Sequence, residues 1–548
     1  MLNLKKCFFV PIFFIIFLFA CQEGSEQKRI KIFRYNESKN ISTLDPAFAR
    51  NQIIMRPVNQ LFNGLVQLDH TLNVRPCIAH NWEISPDGKK YTFFLRTDVY
   101  FHPHRTFMNK SRKVIASDFV YSFNRILDEK TASPGRWIFN QVDIEKNETN
   151  NGFRAINDSL LEIYLKTPFP GFLGILTMPY CSVVPNEVVE ELGKDFGRSP
   201  IGTGPFIFKK WRENEKLVFI KNNRYFERDS NNNRLPYLDA IAITFVNDLQ
   251  SEFMEFMKGR FDIIIGMNSN FKDELLDKRG EQNLQYASKF SLLKSSYLNT
   301  EYLAFNVDSS KLKGGDRILL NPKIRAAINL GIDKAKMISY LRNNIGDAAI
   351  YGFVPMGMPL YDNTKIKGNI YNPQRALQLL NEAGYPSGKG LPKITLTTTT
   401  DYADLCEFIQ HQLSEIGIMI EIEIANGATF KDMVANSKLC FFRGSWVADY
   451  PDPENYFSLF YSKNFSPAGP NYCHFSNMTF DKLYEQSLLT TVYSKRLNYY
   501  YQMDSFIMSE NVIVPLFYDK TLIFISKKVD GLVGNPLNTL NLKCVSLE

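Results

Sequence analysis

Arg443 and Asp449 stand six positions apart in Arg443-Gly444-Ser445-Trp446-Val447-Ala448-Asp449-Tyr450, a cation and an anion with an aromatic residue between them. Such a set suits a small zwitterion, because a free amine needs a fixed anion and a free carboxylate needs a fixed cation. In a cleft that excludes water an ion pair at about 4 Å gains on the order of 4 kcal/mol, against about 1 in bulk water, before desolvation is subtracted. Each residue also has a plainer account. Asp449 precedes Pro451 and Pro453 and could cap a helix or turn, Arg443 could make a structural salt bridge, and Trp446 could pack in a core rather than against ligand side chains.

The elements that must position this stretch are partly legible. Leu61-Phe62-Asn63-Gly64-Leu65-Val66 is short and β-rich, and Tyr91 to Leu95 follows the turn signal Ser85-Pro86-Asp87-Gly88, so strands and turns should dominate the first hundred residues. Ser117 to Arg125 reads as a helix with Ser117 as N-cap and Asp118 favourable at its positive end. Asn321 to Tyr340 has helical spacing, with Pro322 in its first turn and Ile324, Ala327, Ile328 and Ile332 on one face. A helix over Asn372 to Ala383 stops at Gly384 and Pro386; the strand Ile394 to Thr398, a helix over Leu405 to Ile416 and the strand Ile418 to Ile424 follow. This later region alternates between α and β, whereas the first half reads as α+β.

The N-terminus sets the compartment. Lys5 and Lys6 precede the apolar run Cys7 to Phe19, the charged and hydrophobic parts of a secretory signal. The run is too short to span a bilayer, which takes ~20 apolar residues. It ends in Leu18-Phe19-Ala20-Cys21, and polar Gln22 to Lys28 reads as a tether. The rest is globular in composition: 548 residues, 45% hydrophobic and 14% aromatic, enough for several domains. A formal charge of +7, part of it Lys5 and Lys6, is too small to argue for nucleic acid, and no basic tract occurs. Cys77, Cys181, Cys406, Cys440, Cys473 and Cys544 are widely spaced without a CxxC pair, and most should be buried free thiols. His70, His80, His102, His104, His411 and His474 form no HExxH; His102 and His104 are near enough to suggest a metal, but no acidic partner motif follows, so catalysis is not the expectation.

Blocks in order along the chain carry a family resemblance. They include Thr43-Leu44-Asp45-Pro46, Leu61-Phe62-Asn63-Gly64-Leu65, Pro76 to Gly88, Tyr91 to Arg96, Phe101-His102, Ala116 to Val120, Gly202-Thr203-Gly204-Pro205-Phe206, Leu235 to Asp239 and Ile324 to Asn329. The chain resembles the extracytoplasmic solute-binding proteins of ABC importers, peptide and nickel class, nearest to the oligopeptide-binding members, and Leu18 to Cys21 resembles a lipobox. The resemblance implies cleavage before Cys21 and its lipidation, so a membrane-anchored protein outside the cytoplasm, acting as a monomer. It implies an α/β, two-lobed periplasmic-binding-protein-like fold of the class II type, with an extra domain inserted in the first lobe. Residues 1–20 would be the signal peptide and 21–28 the lipidated tether. Residues 29–62, 196–298 and 520–548 would form domain I, 63–195 domain II of the same lobe, and 299–519 domain III, the opposite lobe. The chain would cross between lobes near Asn299 and Lys520.

The resemblance further implies a function. A short peptide would be captured between the lobes and passed to the permease and ATPase subunits of an importer, with no cofactor or metal required. Asp449 stands where such proteins hold the peptide's ammonium, and Arg443 where an arginine meets ligand carboxylates. Tyr302, Phe517 and Tyr518 match pocket aromatics, with core packing as the competing account. Arg50, in the loop after Leu44-Asp45-Pro46, stands where the best-known oligopeptide binder has an acid, which would favour an anionic ligand or a short peptide's carboxylate, with plain solvent exposure as the alternative. Nickel, haem or another solute in the same fold, or a peptide-sensing receptor without a transporter, are the alternatives.

Overall fold

The computed structural model describes residues 30–144, 152–266 and 272–548; the signal segment and Cys21 lie outside the described residues. The chain enters on β1 (Ile32–Asn36), in which Phe33 and Tyr35 are buried and Arg34 faces out. Asn51 then caps a helix, Gln52–Leu61, by accepting the Ile54 N–H at 3.1 Å. This corrects the strand-and-turn expectation for the region. Leu61 closes a helix whose buried face is Ile54, Val58 and Leu61, a spacing of three to four residues that prevails over the internal Pro57. Strand pairing starts only at β2 (Val66–Leu68), a hairpin with β3 (Val74–Pro76).

β4 (Ala79–Ile84), β5 (Lys90–Leu95), β6 (Phe153–Asn157) and β7 (Leu160–Tyr164) form a sheet in the order β4-β5-β7-β6. The Ser85 to Gly88 turn joins the first two, with the Gly88 N–H on Ser85 O at 2.8 Å and Gly88 at φ +69°, a conformation that favours glycine. A helix, Ala116–Leu127, packs against this sheet. Its N-cap is Ile115, not Ser117: the Asp118 carboxylate reaches back to the Ile115 N–H at 2.8 Å and also pairs with Arg112.

The main sheet has eleven strands. β8 (Phe206–Arg212), β9 (Lys216–Lys221), β10 (Ala240–Thr244) and β11 (Ile263–Ile265) extend it around β1, and β12 (Phe290–Phe305), β13 (Asp347–Ala348), β14 (Ile394–Thr398), β15 (Ile420–Ile424), β16 (Phe441–Val447) and β17 (Ile513–Ser526) complete it. The order is β15-β14-β16-β12-β17-β11-β1-β10-β9-β8, with β13 on β17. β12 and β17 are long antiparallel partners, and their register breaks midway. Ser296 faces Lys520 and Thr300 faces Tyr518, so Tyr297, Leu298 and Asn299 stand opposite Asp519 alone. Separate cores lie on either side of this break: Phe33, Phe93, Phe119 and Phe219 belong to one, and Tyr302, Tyr456 and Tyr500 with Leu303, Phe305 and Leu413 to two others.

In the α/β-alternating region the strand Ile394–Thr398 and the helices Pro373–Glu382 and Ala403–Ser414 agree with the spacing. The expected single helix over Asn321 to Tyr340 is two, Pro322–Leu330 and Lys334–Arg342. The Asp333 carboxylate accepts the Lys336 N–H at 2.9 Å and starts a new helix, which the apolar spacing alone does not reveal. Gly202 and Gly204 pass against the end of the helix Gln52–Leu61, where a Cβ on Gly202 would sit 2.1 Å from Leu61 O. His102, 1% exposed, is fixed to the same passage through Gly202 N and Gly204 O. All six described cysteines are free, four of them buried.

Candidate functional site

β16 delivers the Arg443 to Asp449 stretch, and strand alternation divides it. Leu303 faces Arg443 and Glu301 faces Ser445, while Tyr302 faces Gly444 and Thr300 faces Trp446. Arg443 and Trp446 therefore project to opposite faces of the sheet. On the Arg443 face, its Nη2 lies 2.8 Å from Glu301 Oε2, and the guanidinium lies over the Tyr402 ring, 3.1 Å from its centroid. Both charges are buried, Arg443 to 7% and Glu301 to 2% exposure. The pair is close but poorly aligned: Nε, Nη2 and Glu301 Oε2 make no hydrogen bond. Burial raises the Glu301 carboxyl despite the opposing pull of Arg443 and the 3.0 Å hydrogen bond from Asn299.

On the other face, Tyr302 is 3% exposed and meets Phe353 edge-on at 5.2 Å between centroids. Its ring crosses Gly444 so closely that a Cβ there would lie 2.7 Å from it. Tyr518, 1% exposed, donates its hydroxyl to Gly352 O at 2.6 Å. Phe517 is also 1% exposed and lies under the Arg342 guanidinium at 4.4 Å. These three aromatics thus build the lobe's interior in this structure. Trp446 is half-buried and donates Nε1–H to Asn455 Oδ1 at 3.0 Å.

Asp449 lies just beyond the end of β16 and is exposed. It does not cap the helix Glu454–Phe457 that follows; Asp452 accepts the Glu454 N–H there instead. Asn455 organises the Asp449 turn. Its Oδ1 accepts the Asp449 N–H at 3.1 Å as well as the Trp446 indole, and its Nδ2 stands 3.5 Å from Asp449 Oδ2. No cation pairs with Asp449 among the described residues. Surrounding protein displaces enough water to push its carboxyl up to about 6, an effect the Asn455 amide only partly opposes. Tyr180, Tyr456 and Tyr472 feel the Asp449 charge, and Tyr180 also feels Arg50, so Arg50 and Asp449 act on one hydroxyl with opposite sign. Arg50 is exposed, and no ion pair to it occurs among the described residues.

Sequence reasoning missed Asn455, Glu301, Tyr402 and Tyr180. Strand period alone could have found Glu301, because it puts Tyr302 and Glu301 on opposite faces, whereas Asn455 has no signal in its neighbours. Beyond the bridge from Thr397 to Phe442, no strand pairs with β16 on the side away from β12 among the described residues. On that side the main chain from Arg443 to Val447 thus has no strand partner among the described residues.

A main sheet whose two long central strands break register midway, with separate cores beside it, defines a class: a two-lobed binding protein with an α/β fold. Solved structures place the chain in that class. That of the DppA periplasmic binding protein of Helicobacter pylori in complex with the peptide STSA is 25% identical, has a TM-score of 0.76, and matches over 95% of this chain and 99% of that one. The chain belongs to the bacterial extracellular solute-binding proteins, family 5, whose Middle model matches residues 73–467. It is similar to the dipeptide-binding protein DppE of Bacillus subtilis, 24% identical over 96% of this chain and 94% of the relative. It is also similar to heme-binding protein A of Haemophilus influenzae, 26% identical over 87% and 85%. Among the described residues no helix is long and apolar enough to cross a membrane.

Proposed function

We propose that this protein captures short peptides between its lobes and delivers them to the permease and ATPase subunits of an ABC importer. The observation that carries this reading is Asp449, an exposed carboxylate with no cation among the described residues, set beside an open strand edge. A peptide's ammonium supplies the missing cation, and its backbone the partner for Arg443 to Val447, which makes capture tolerant of side-chain identity. Arg50 meets the peptide's carboxylate from the first lobe. Arg443 does so from the second, because Nε and Nη2 lack aligned hydrogen bonds and can turn from Glu301 to a ligand oxygen. Trp446 flanks the bound main chain. Tyr302, Phe517 and Tyr518 hold the frame around it.

The domain limits belong to the same proposal. Residues 29–62, 196–298 and 520–548 with 63–195 make the first lobe and 299–519 the second. The register break at Ser296 to Thr300 supports crossings near Asn299 and Lys520, where a few residues could take up rigid-body closure. Cleavage before Cys21 and its lipidation would hold a monomer at the outer face of a membrane, and Cys21→Ser should release it to the soluble fraction. The protein binds and does not catalyse.

Calorimetry with di- to pentapeptides and their N-acetylated forms tests the reading. Free-amine peptides should bind much more tightly than their acetylated forms; equal affinity would remove Asp449 from its role. The similarity to a heme-binding relative supplies the competing ligand, and a haem titration followed by absorbance should stay flat. Stoichiometric haem or nickel with no peptide response would replace the peptide reading.

A further inference from the structure

A cavity of about 290 Å³ opens in the first lobe at the carboxyl end of β1, between the helix Gln52–Leu61 and the helix Leu249–Met257. Three charged side chains line it, each more than nine-tenths buried: Glu37 at 3%, Arg56 at 8% and Glu252 at 8% exposure. Glu37 and Arg56 cancel, with Arg56 Nη1 at 3.2 Å from the carboxylate. Glu252 has no cationic partner among the described residues. Burial and the nearby Glu37 charge push its carboxyl up to about 6, which the Asn36 amide only partly opposes. Arg56 Nε is buried without a hydrogen bond, so the polar wall is incomplete as it stands.

Asn36 and Ser38 add polar groups, and most of the remaining wall is apolar, including Ile53, Ile265, Phe253 and Phe524. Such a shape suits a group with a hydrocarbon stem and a positive tip. The cavity adjoins the register break between β12 and β17. Gly266 is shared with the pocket of Tyr297 and Asp519 at the lobe crossing, and Tyr297 feels the charges of both Arg56 and Asp519. The helix Gln52–Leu61, which supplies Ile53 and Arg56, starts directly after Arg50 and Asn51.

We infer that this cavity is a specificity subsite for a basic ligand side chain, a lysine or arginine whose stem lies along Ile53 and Ile265 and whose cation pairs with Glu252. The inference rests on the peptide reading. A neutral ligand side chain would leave Glu252 unpaired in a poor solvent, while a cationic one supplies the charge that the cavity lacks. Selectivity between peptides then comes from the first lobe, away from the Asp449 ammonium site in the second.

Calorimetry on the whole soluble protein tests it with trialanine and with the three tripeptides carrying one lysine among alanines, each against its norleucine counterpart. One lysine peptide should bind at least tenfold more tightly than its norleucine match. Glu252→Gln should remove that advantage while leaving trialanine affinity within twofold. Should Glu252→Gln fail to fold, the lysine-to-norleucine ratio of the unaltered protein decides. Trialanine bound with no lysine preference at any position overturns the subsite and leaves the peptide reading intact, as does a preference that survives Glu252→Gln. Failure of every peptide to bind overturns both.

Discussion

Asp449 carries a charge that no cation neutralises among the described residues, and the consequences can be measured at that one side chain. Asp449→Asn keeps its shape and removes the charge, so affinity for a free-amine tripeptide should fall by about 2 kcal/mol or more, ~30-fold. Affinity for the N-acetylated form should not change; a loss common to both would assign Asp449 to structure. The pH dependence has a definite sign. Its carboxyl sits near 6 in the folded protein, above the ordinary value, so the contribution of this group to the empty protein's stability is fully present below about 4 and lost as pH rises through about 6. A ligand ammonium needs the ionised form, so peptide binding should release a proton near pH 6, and affinity should drop by about tenfold from pH 7.5 to 5. Buffers of different ionisation enthalpy report that proton in calorimetry. Asp449→Asn should abolish the release.

The turn that carries Asp449 is held by the buried carboxylates of Asp452 and Glu454. Asp452, 7% exposed, accepts the Glu454 N–H, the Tyr500 hydroxyl at 2.7 Å and Arg496 at 3.1 Å. Asp452→Ala would strand the buried Arg496, at a cost of about 3–5 kcal/mol, read as a lowered Tm. Glu454 accepts the hydroxyls of both Tyr450 and Tyr484, and burial pushes its carboxyl up to about 7. Its folded value exceeds its unfolded one, so its contribution is lost as pH climbs from about 4 through 7. Glu454→Gln should flatten the fall in Tm across that window, and an unchanged slope would exclude this group as its source. Little of this support was legible in the sequence. Period-two alternation and turn residues announced Ile394–Thr398 and the Ser85 to Gly88 turn because those signals are local. The split at Asp333, the cap at Ile115 and the helix Gln52–Leu61 depend on single side-chain-to-backbone hydrogen bonds that composition does not mark. Asp452 and Glu454 follow Asp449 within five residues, yet Arg496, Tyr500 and Tyr484, with which they pair, lie 30 or more positions away, a distance no local pattern spans.

Across the whole molecule, the same turn is where the two halves meet. Tyr450, 4% exposed, sits against Phe169 at 6.3 Å between centroids, and Pro451 faces the short helix Phe172–Ile175. Tyr450, the neighbour of Asp449, is therefore covered by the segment of Phe169 and Gly174, which the proposed lobe division assigns to the first lobe, so ligand capture at Asp449 would be linked to closure. Gly174 lies at this contact with room for a methyl group: a Cβ there would lie 3.4 Å from Pro451 Cδ and 3.5 Å from Tyr450 Cβ, ordinary contact distances. Gly174→Ala should accordingly close and bind as the parent does. Gly174→Leu adds branches beyond that contact, and the packed lobes cannot absorb them without moving apart. Small-angle scattering should then show that saturating peptide shrinks the radius of gyration of the parent and the alanine variant but not of the leucine variant. Peptide affinity of the leucine variant should fall at least about tenfold, since the bound-state contacts from the first lobe are lost. Normal compaction of the leucine variant would mean that the Tyr450 contact persists through opening, and that the lobes move about some line other than the register break between β12 and β17.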